Sequence, residues 1–395
     1  VSHSGCGPYR QVNLADNTIG DEEVVAVEKV LRAGWLSPGP VTRAFEQEFA
    51  DALGVPGAVA VSSGTAALHL AVLALDLRPG DEVVVPSLSF VASAALVALH
   101  GGVPVFADVL SEEEPTIAPD EFRRLAGPRT RAVVVMHNGG YPARIREIVD
   151  LAGHRGVAVI EDAAHAPVVR RGGRALGTFG DFGCFSFFAT KNLTTGEGGM
   201  VVARDPRALD RVRATRSHHI TRPTWDRQQS GGADYDVPGI GLNYRPTEIA
   251  SAIGRVQLSR LPADRERRAL LTDHYRRLLA GVPGVRVPFS THDGDSAYHL
   301  MAVLLPPGTA REPVRAELTA AGVQTSVHYR PTHLFSYYRA HHPAGPLPVC
   351  EAMADRLLSL PLHARMTRED VEHVVSVLGR ALERHGKEGR ADVHR

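Results

Sequence analysis

Apolar positions in this chain fall into short runs, and between the runs they recur at helical spacing. Seven runs rich in β-branched residues follow one another: 57–61 (GAVAV), 82–86 (EVVVP), 103–107 (VPVFA), 131–136 (RAVVVM), 157–161 (VAVIE), 183–187 (GCFSF) and 199–203 (GMVVA). Short β-branched runs of this kind predict strands. Amphipathic stretches at 65–76, 90–100, 119–126 and 143–155 separate most of them and predict helices. A further helix is expected over 21–33, opened by Asp21, Glu22 and Glu23 and closed before Gly34. Strands alternating with helices predict an α/β fold with a mostly parallel sheet.

The pattern breaks at a Gly/Pro-rich stretch around 231–246. One helix is then expected from 247 to about 260 and a second, charged one over 263–280. From about 285 the pattern becomes α+β: strand-like 297–305, helix 311–321, strand-like 323–328 and helices 349–358 and 367–384. This change predicts a large α/β domain over 1–265 and a smaller C-terminal α+β domain over 266–395. A chain of 395 residues suffices for two domains sharing a cleft.

Composition narrows the function classes. The formal net charge is zero, so no electrostatic case exists for a nucleic-acid or membrane-surface partner. No apolar run approaches a membrane span, and Val1 to Arg10 carries no apolar leader, which predicts a cytoplasmic protein. Cys6, Cys184 and Cys350 are odd in number and widely spaced, against a disulfide framework or a cysteine zinc site. The pairs His218-His219 and His341-His342 lack metal-ligand spacing, so no metal is expected. One feature is more specific: of 44 basic residues only Lys29, Lys191 and Lys387 are lysines, and the rest are arginines.

Three segments carry candidate chemistry. Asp162 ends the run GVAVIE; ligands of parallel sheets gather at strand carboxyl ends, although a plain N-cap for the following AAHAP is the simpler use of such an acid. Lys191 follows the next strand in FSFFATKN, where apolar and aromatic neighbours would lower the amine's pKa and make it a better nucleophile. Its other reading is a surface loop lysine, but the chain uses arginine wherever charge alone suffices. Ser62-Ser63-Gly64-Thr65 joins a strand to a helix and offers free N–H groups to a phosphate, or is an ordinary capped helix start. Together, a phosphate seat, a strand-end carboxylate and a lysine are what pyridoxal phosphate needs. No G-x-G-x-x-G follows the first strand and no P-loop is present, which disfavours dinucleotides and nucleoside triphosphates. Nor does Ser62-Ser63-Gly64 form a G-x-S-x-G nucleophile turn.

The chain resembles the DegT/StrS-type sugar aminotransferases, within the fold-type I pyridoxal-phosphate enzymes. The resemblance spans roughly residues 14–380 and is carried by SSGTAALHLA (62–71), RPGDEVVVPSLSFVAS (78–93), VIEDAAHA (159–166), GDFGCFSFFATKNLTTGEGGMVV (180–202), LNYRPTEIASAIGRVQL (242–258) and HYRPTH (328–333). It implies an aspartate-aminotransferase-like fold, with a seven-stranded, mostly parallel sheet and a small C-terminal domain, and a homodimer whose active sites are shared. It further implies that Lys191 attaches the cofactor as a Schiff base and shuttles the proton, and that Asp162 holds the pyridine nitrogen protonated. Gly64, Thr65 and Ser186 would bind the phosphate, with Asn243 from the neighbouring subunit. Phe90 would lie against the ring, and His165 would stand beside the phenolic oxygen, where the family often has Gln. His328, Tyr329 and the Trp35–Pro40 loop would line the sugar site.

The chain departs from that family where H-x-Y-G-Q-P is usual; here the segment reads His137-Asn138-Gly139-Gly140-Tyr141-Pro142. The change is expected to alter the wall beside the cofactor, and so substrate detail rather than reaction class. Loop 216–238 is rich in Arg, His and aromatics and is either a clamp on a nucleotide diphosphate or a solvated loop. The expected reaction is amino transfer from glutamate or glutamine to a keto-sugar, carried on a nucleotide diphosphate, in amino-sugar biosynthesis. Its rivals are amination of a keto-inositol, the family's sugar dehydratase branch, which places His where this chain has Lys191, and a regulatory protein that binds the cofactor without turnover.

Overall fold

The computed structural model describes residues 11–385; Cys6, Lys387 and the N-terminal stretch up to Arg10 lie outside the described residues. Eleven strands occur among them: β1 (Val59–Val61), β2 (Glu82–Pro86), β3 (Val103–Ala107), β4 (Thr130–Met136), β5 (Ala158–Asp162), β6 (Arg170–Arg171), β7 (Arg174–Ala175), β8 (Phe182–Ser186), β9 (Gly199–Ala203), β10 (Met301–Leu304) and β11 (Leu357–Leu360). All seven apolar runs singled out above become strands of one seven-stranded sheet, ordered β1-β9-β8-β5-β4-β2-β3. The pairs β2–β3, β2–β4, β4–β5 and β5–β8 are parallel. Only β9 is reversed, since it pairs antiparallel with both β1 and β8.

The sheet is covered on both faces, which is why its strands read as continuous apolar runs. Helices Gly64–Ala74, Ala92–Leu99 and Pro206–Thr215 pack Leu70, Val97 and Leu209 on one face. Helices Pro119–Leu125 and Ile145–Gly153 pack Phe122 and Ile148 on the other. Helix Pro40–Leu53 buries Phe45, Phe49 and Leu53, and these meet Phe185 and Phe187 around the end of β8. Its spacing i, i+4, i+8 after Pro40 was a legible helix signal that the pattern reading passed over.

A separate core joins β10, β11 and helices Arg311–Ala320 and Arg368–His385 through Val303, Leu358, Leu318 and Val374. Three expectations differ here. The two helices expected over 247–280 are one, Glu248–Leu279, with Pro262 inside it. A proline removes one helical hydrogen bond, but tertiary bonds grip the helix on both sides of it. Gln257 and Arg260 bond Glu23 and Glu22, while Arg268 donates to Leu362 C=O. The expected division at 265/266 therefore falls inside a continuous helix. The run 323–328 makes only isolated bridges, Val323 to Val12 and Ser326 to Ser359, because it touches two different partners. The helix expected over 349–358 ends at Ala354, and the apolar LLSL that follows is β11, recruited by β10.

Candidate active site

The carboxyl ends of β1, β5 and β8 converge on a cavity of about 360 Å³. Its lining includes Gly64, Thr65, Phe90, Asp162, His165, Ser186, Lys191, His328 and Tyr329. Nine of the residues expected at the site thus meet in one chamber. Asn243 and Trp35 are not among its lining residues within one chain. Asn243 is exposed on a short bridge to Ser217, and Trp35 packs edge-on against Trp225 at 5.0 Å.

Each wall follows from local sequence. After β1 the chain turns into helix Gly64–Ala74, capped by Ser63 Oγ, which accepts from Ala66 N–H at 3.0 Å. The first backbone helical bond runs from Ala67 N–H to Ser63 C=O, so the Gly64 and Thr65 N–H groups precede the ladder and remain available for an anion. A Cβ on Gly64 would stand 2.6 Å from Ser186 Cβ; only glycine lets this turn and the end of β8 form a close cradle. Asp162 ends β5 in register with Met136, the last residue of β4, and with Cys184 inside β8. The preceding Glu161 points to the other face, where its carboxylate accepts from His137 Nε2–H (2.9 Å), Gly177 N–H (2.8 Å) and Gly180 N–H (2.6 Å). That buried anchor makes the strand end rigid.

Burial governs the electrostatics. It lowers the Lys191 amine from 10.5 to about 8, against the pull of Asp162. It raises the Asp162 carboxyl, against the Ala164 N–H (3.1 Å), Lys191 and His137. Burial first, then the charge of Lys191, brings His328 down to about 4 and holds His165 well below its usual value. His299, which also lines the cavity, is likewise held well below its usual value, first by burial and then by its neighbours His165, Lys191 and Arg268. Cys184 is pushed well up by burial and by Asp162, leaving an inert thiol.

Hydrogen bonds assign the tautomers. Gly139 N–H donates to His165 Nδ1 at 3.3 Å, so the ring proton sits on Nε2 and is given to the Tyr329 hydroxyl oxygen at 3.0 Å. The Tyr329 proton is then free for a ligand in the cavity. The altered segment 137–142 acts through this contact: Gly139 supports His165, whereas Tyr141 is buried outside the cavity, stacked on Phe289 at 4.3 Å.

The donor set fits pyridoxal phosphate at three separated points. The Gly64–Ser186 cradle suits a phosphate, the buried Asp162 suits a protonated ring nitrogen, and the desolvated Lys191 suits an aldehyde. Phe90, half exposed at the mouth, offers a face to a planar ring. Sequence reasoning missed His299, one of 19 histidines with no spacing signal; only the return of the chain through 297–299 brings it here. Loop 216–238 contains helix Thr224–Ser230 and borders a second basin of about 660 Å³, lined by Ser37, Arg43, Arg216 and Arg245 among others.

Known proteins share this sequence pattern and this fold. A family model described as the DegT/DnrJ/EryC1/StrS aminotransferase family matches residues 17–379. A dTDP-4-dehydro-2,3,6-trideoxy-D-glucose 4-aminotransferase of Saccharopolyspora spinosa is 39% identical over 382 residues, covering 95% of this chain and 97% of that protein. Among solved structures, the aminotransferase TlmJ from Streptoalloteichus hindustanus is 38% identical at a TM-score of 0.88, covering 95% of this chain and all of that one. Spr1654 from Streptococcus pneumoniae in its PLP form is 25% identical at a TM-score of 0.87, covering 95% of this chain and 99% of that one.

Proposed function

Because this chain belongs to the DegT/DnrJ/EryC1/StrS aminotransferase family, we propose that it moves an amino group from glutamate or glutamine to the keto carbon of a deoxysugar carried on a nucleoside diphosphate. It is a pyridoxal-phosphate-dependent sugar aminotransferase of the aspartate-aminotransferase fold, fold type I. The observation that carries the reading is the meeting of Lys191, Asp162 and the Gly64–Ser186 cradle on one cavity. The relative whose name specifies a dTDP-linked keto-sugar supports the acceptor class.

When bound, pyridoxal phosphate supplies a conjugated ring that takes up the electron pair left as the donor's Cα loses its proton. This chain's residues do the rest. Lys191 Nζ would hold the cofactor's aldehyde and would serve as the base for the donor's Cα proton and as the acid that returns a proton to the sugar carbon. Its pKa of about 8 leaves roughly a tenth of the amine unprotonated at pH 7, far more than an ordinary lysine, as a general base requires. Asp162 would keep a proton on the ring nitrogen, whose positive charge would offset the effect of burial that raises the carboxyl's own pKa. Gly64, Thr65 and Ser186 would bind the phosphate, Phe90 would cover the ring, and His165 would stand on the side of the phenolic oxygen. His328 and Tyr329 line the acceptor, the latter with its free hydroxyl proton.

The remaining contacts come from a second copy in a homodimer. Asn243 is exposed, and Arg245 donates to Ser217 Oγ at 3.2 Å with no carboxylate in ion-pair range among the described residues. In this reading these two, with Trp35 and the basin beside loop 216–238, hold phosphates of the partner's ligands.

The test is amino transfer by the purified enzyme, supplied with pyridoxal phosphate and glutamate or glutamine, to a dTDP-linked 4-keto-deoxysugar and, separately, to a keto-inositol. Conversion of the nucleotide-linked sugar is expected. Amination of the keto-inositol alone would replace the acceptor assignment, and no transfer from either amino acid would remove the donor assignment.

A further inference from the structure

We propose that His299 is a positioning residue for Lys191: its Nδ1–H holds the Asn192 side chain, and with it the loop that carries the lysine, against the wall that carries His165 and Tyr329. The proposal rests on Lys191 being the reactive amine.

Lys191 lies in an irregular segment between β8 and β9, and its own N–H bonds only to Phe188 C=O at 2.9 Å. Among the described residues, the side-chain hydrogen bonds from this segment to the rest of the molecule come from the adjacent Asn192. Asn192 is 7% exposed, and its Nδ2 donates to Ala297 C=O at 2.6 Å. With the nitrogen so oriented, Oδ1 is the acceptor for His299 Nδ1–H at 2.9 Å. The His299 proton is therefore on Nδ1.

The same short segment grips the opposite wall. His299 N–H donates to Gly139 C=O at 2.8 Å, and Ala297 N–H and Ser296 Oγ donate to Gly140 C=O, each at 3.0 Å. Gly139 in turn donates to His165 Nδ1, and the His299 ring packs on His165 with centroids 4.3 Å apart. Residues 296–299 thus clamp two strand-end loops that share no sequence neighbourhood. The amine and the Tyr329–His165 pair sit on opposite jaws of this clamp. Removing the Nδ1–H leaves a buried amide oxygen unpaired, and the loop relieves this by opening toward solvent. The amine then loses desolvation and its pKa rises.

His299→Leu removes the donor. His299→Asn keeps an N–H the same number of bonds from the backbone and is the rescue. The holoenzyme is titrated by absorbance, which reads the pH at which the lysine–cofactor bond changes protonation. In parallel, acetic anhydride acylation of the cofactor-free protein is followed peptide by peptide against pH; with only Lys29, Lys191 and Lys387 present, each lysine is read separately. Wild-type Lys191 should titrate near 8. In His299→Leu both titrations should move by about one unit or more, with kcat falling further than the donor KM rises; His299→Asn should titrate like wild type. If His299→Leu does not fold, Asn192→Ala, which removes the other end of the same bond, must give the same shift. Unshifted titrations in the folded variant, or an Asn rescue as perturbed as Leu, would overturn the proposal. Borohydride reduction separates the two failures: a label on Lys29 or Lys387 removes the assignment of Lys191, whereas a label on Lys191 with an unshifted titration removes only the role of His299.

Discussion

The cofactor chamber and the basin beside loop 216–238 are both rich in basic residue types, yet they treat charge in opposite ways. In the chamber, burial strips it: three histidines are held neutral and the single lysine is lowered to about 8. In the basin, guanidinium groups stay charged and are steered by partners. Arg216 is bonded to Glu46 at 2.6 Å and to Ala60 C=O at 2.7 Å, and Arg43 pairs with Asp226. Arg245 alone combines burial, the neighbouring charge of Arg216 and no carboxylate, and both effects push its guanidinium below its usual value. On the proposed reading, one region serves proton transfer, which needs a group that changes charge, and the other serves recognition, which needs groups that never do.

That contrast can be broken most sharply at the lysine. Lys191→Ala should lower transamination by about 10⁴-fold with the circular dichroism of the fold unchanged; single-turnover reduction of the bound cofactor by glutamate is the measurement, and wild-type rates would end the assignment. Asp162→Asn should slow the same half-reaction by about 10³-fold, because the ring nitrogen loses the carboxylate that keeps it protonated.

The third test reads stability. The folded-state pKa of Lys191 is depressed, so the ligand-free fold disfavours its charged form. The penalty is complete below pH 8 and disappears as pH rises through 8 to 10.5. Lys191→Met should therefore stabilise the cofactor-free protein by on the order of 3 kcal/mol at pH 7, with the gap closing toward pH 10.5; Tm measured across that range checks the sign. The smallest effect is expected in the basin. Arg245→Ala should raise KM for the nucleotide-linked acceptor about 10-fold and leave the glutamate half-reaction unaltered. An equal effect on both half-reactions would blur the division of labour between the two regions.

How much of this was legible in the sequence depended on the range of the interaction involved. Strands buried on both faces announce themselves locally, and all seven main-sheet runs were visible for that reason. The lysine was visible because the chain contains so few. Glu248–Leu279 was misread as two helices because Pro262 is a local stop signal, overridden by Gln257, Arg260 and Arg268 reaching other segments. β11 was hidden because LLSL becomes a strand only beside β10. His299 and Asn192 could not be found by pattern at all, since their pairing spans 107 positions and neither belongs to a periodic face. Helix Thr224–Ser230 lay unseen in a loop whose composition reads as solvated.

The reversed direction of β9 has a mechanical result. Ser186 and Gly199 stand opposite each other as the last residue of one strand and the first of the next, so the chain leaves and re-enters the sheet at the same edge. A parallel successor would have sent it away through a crossover helix to the far end. Residues 187–198 form instead an arch with both feet set in neighbouring strands. A load hung from its crown is shared by two abutments, and severing the arch would leave each stump still seated in the same masonry.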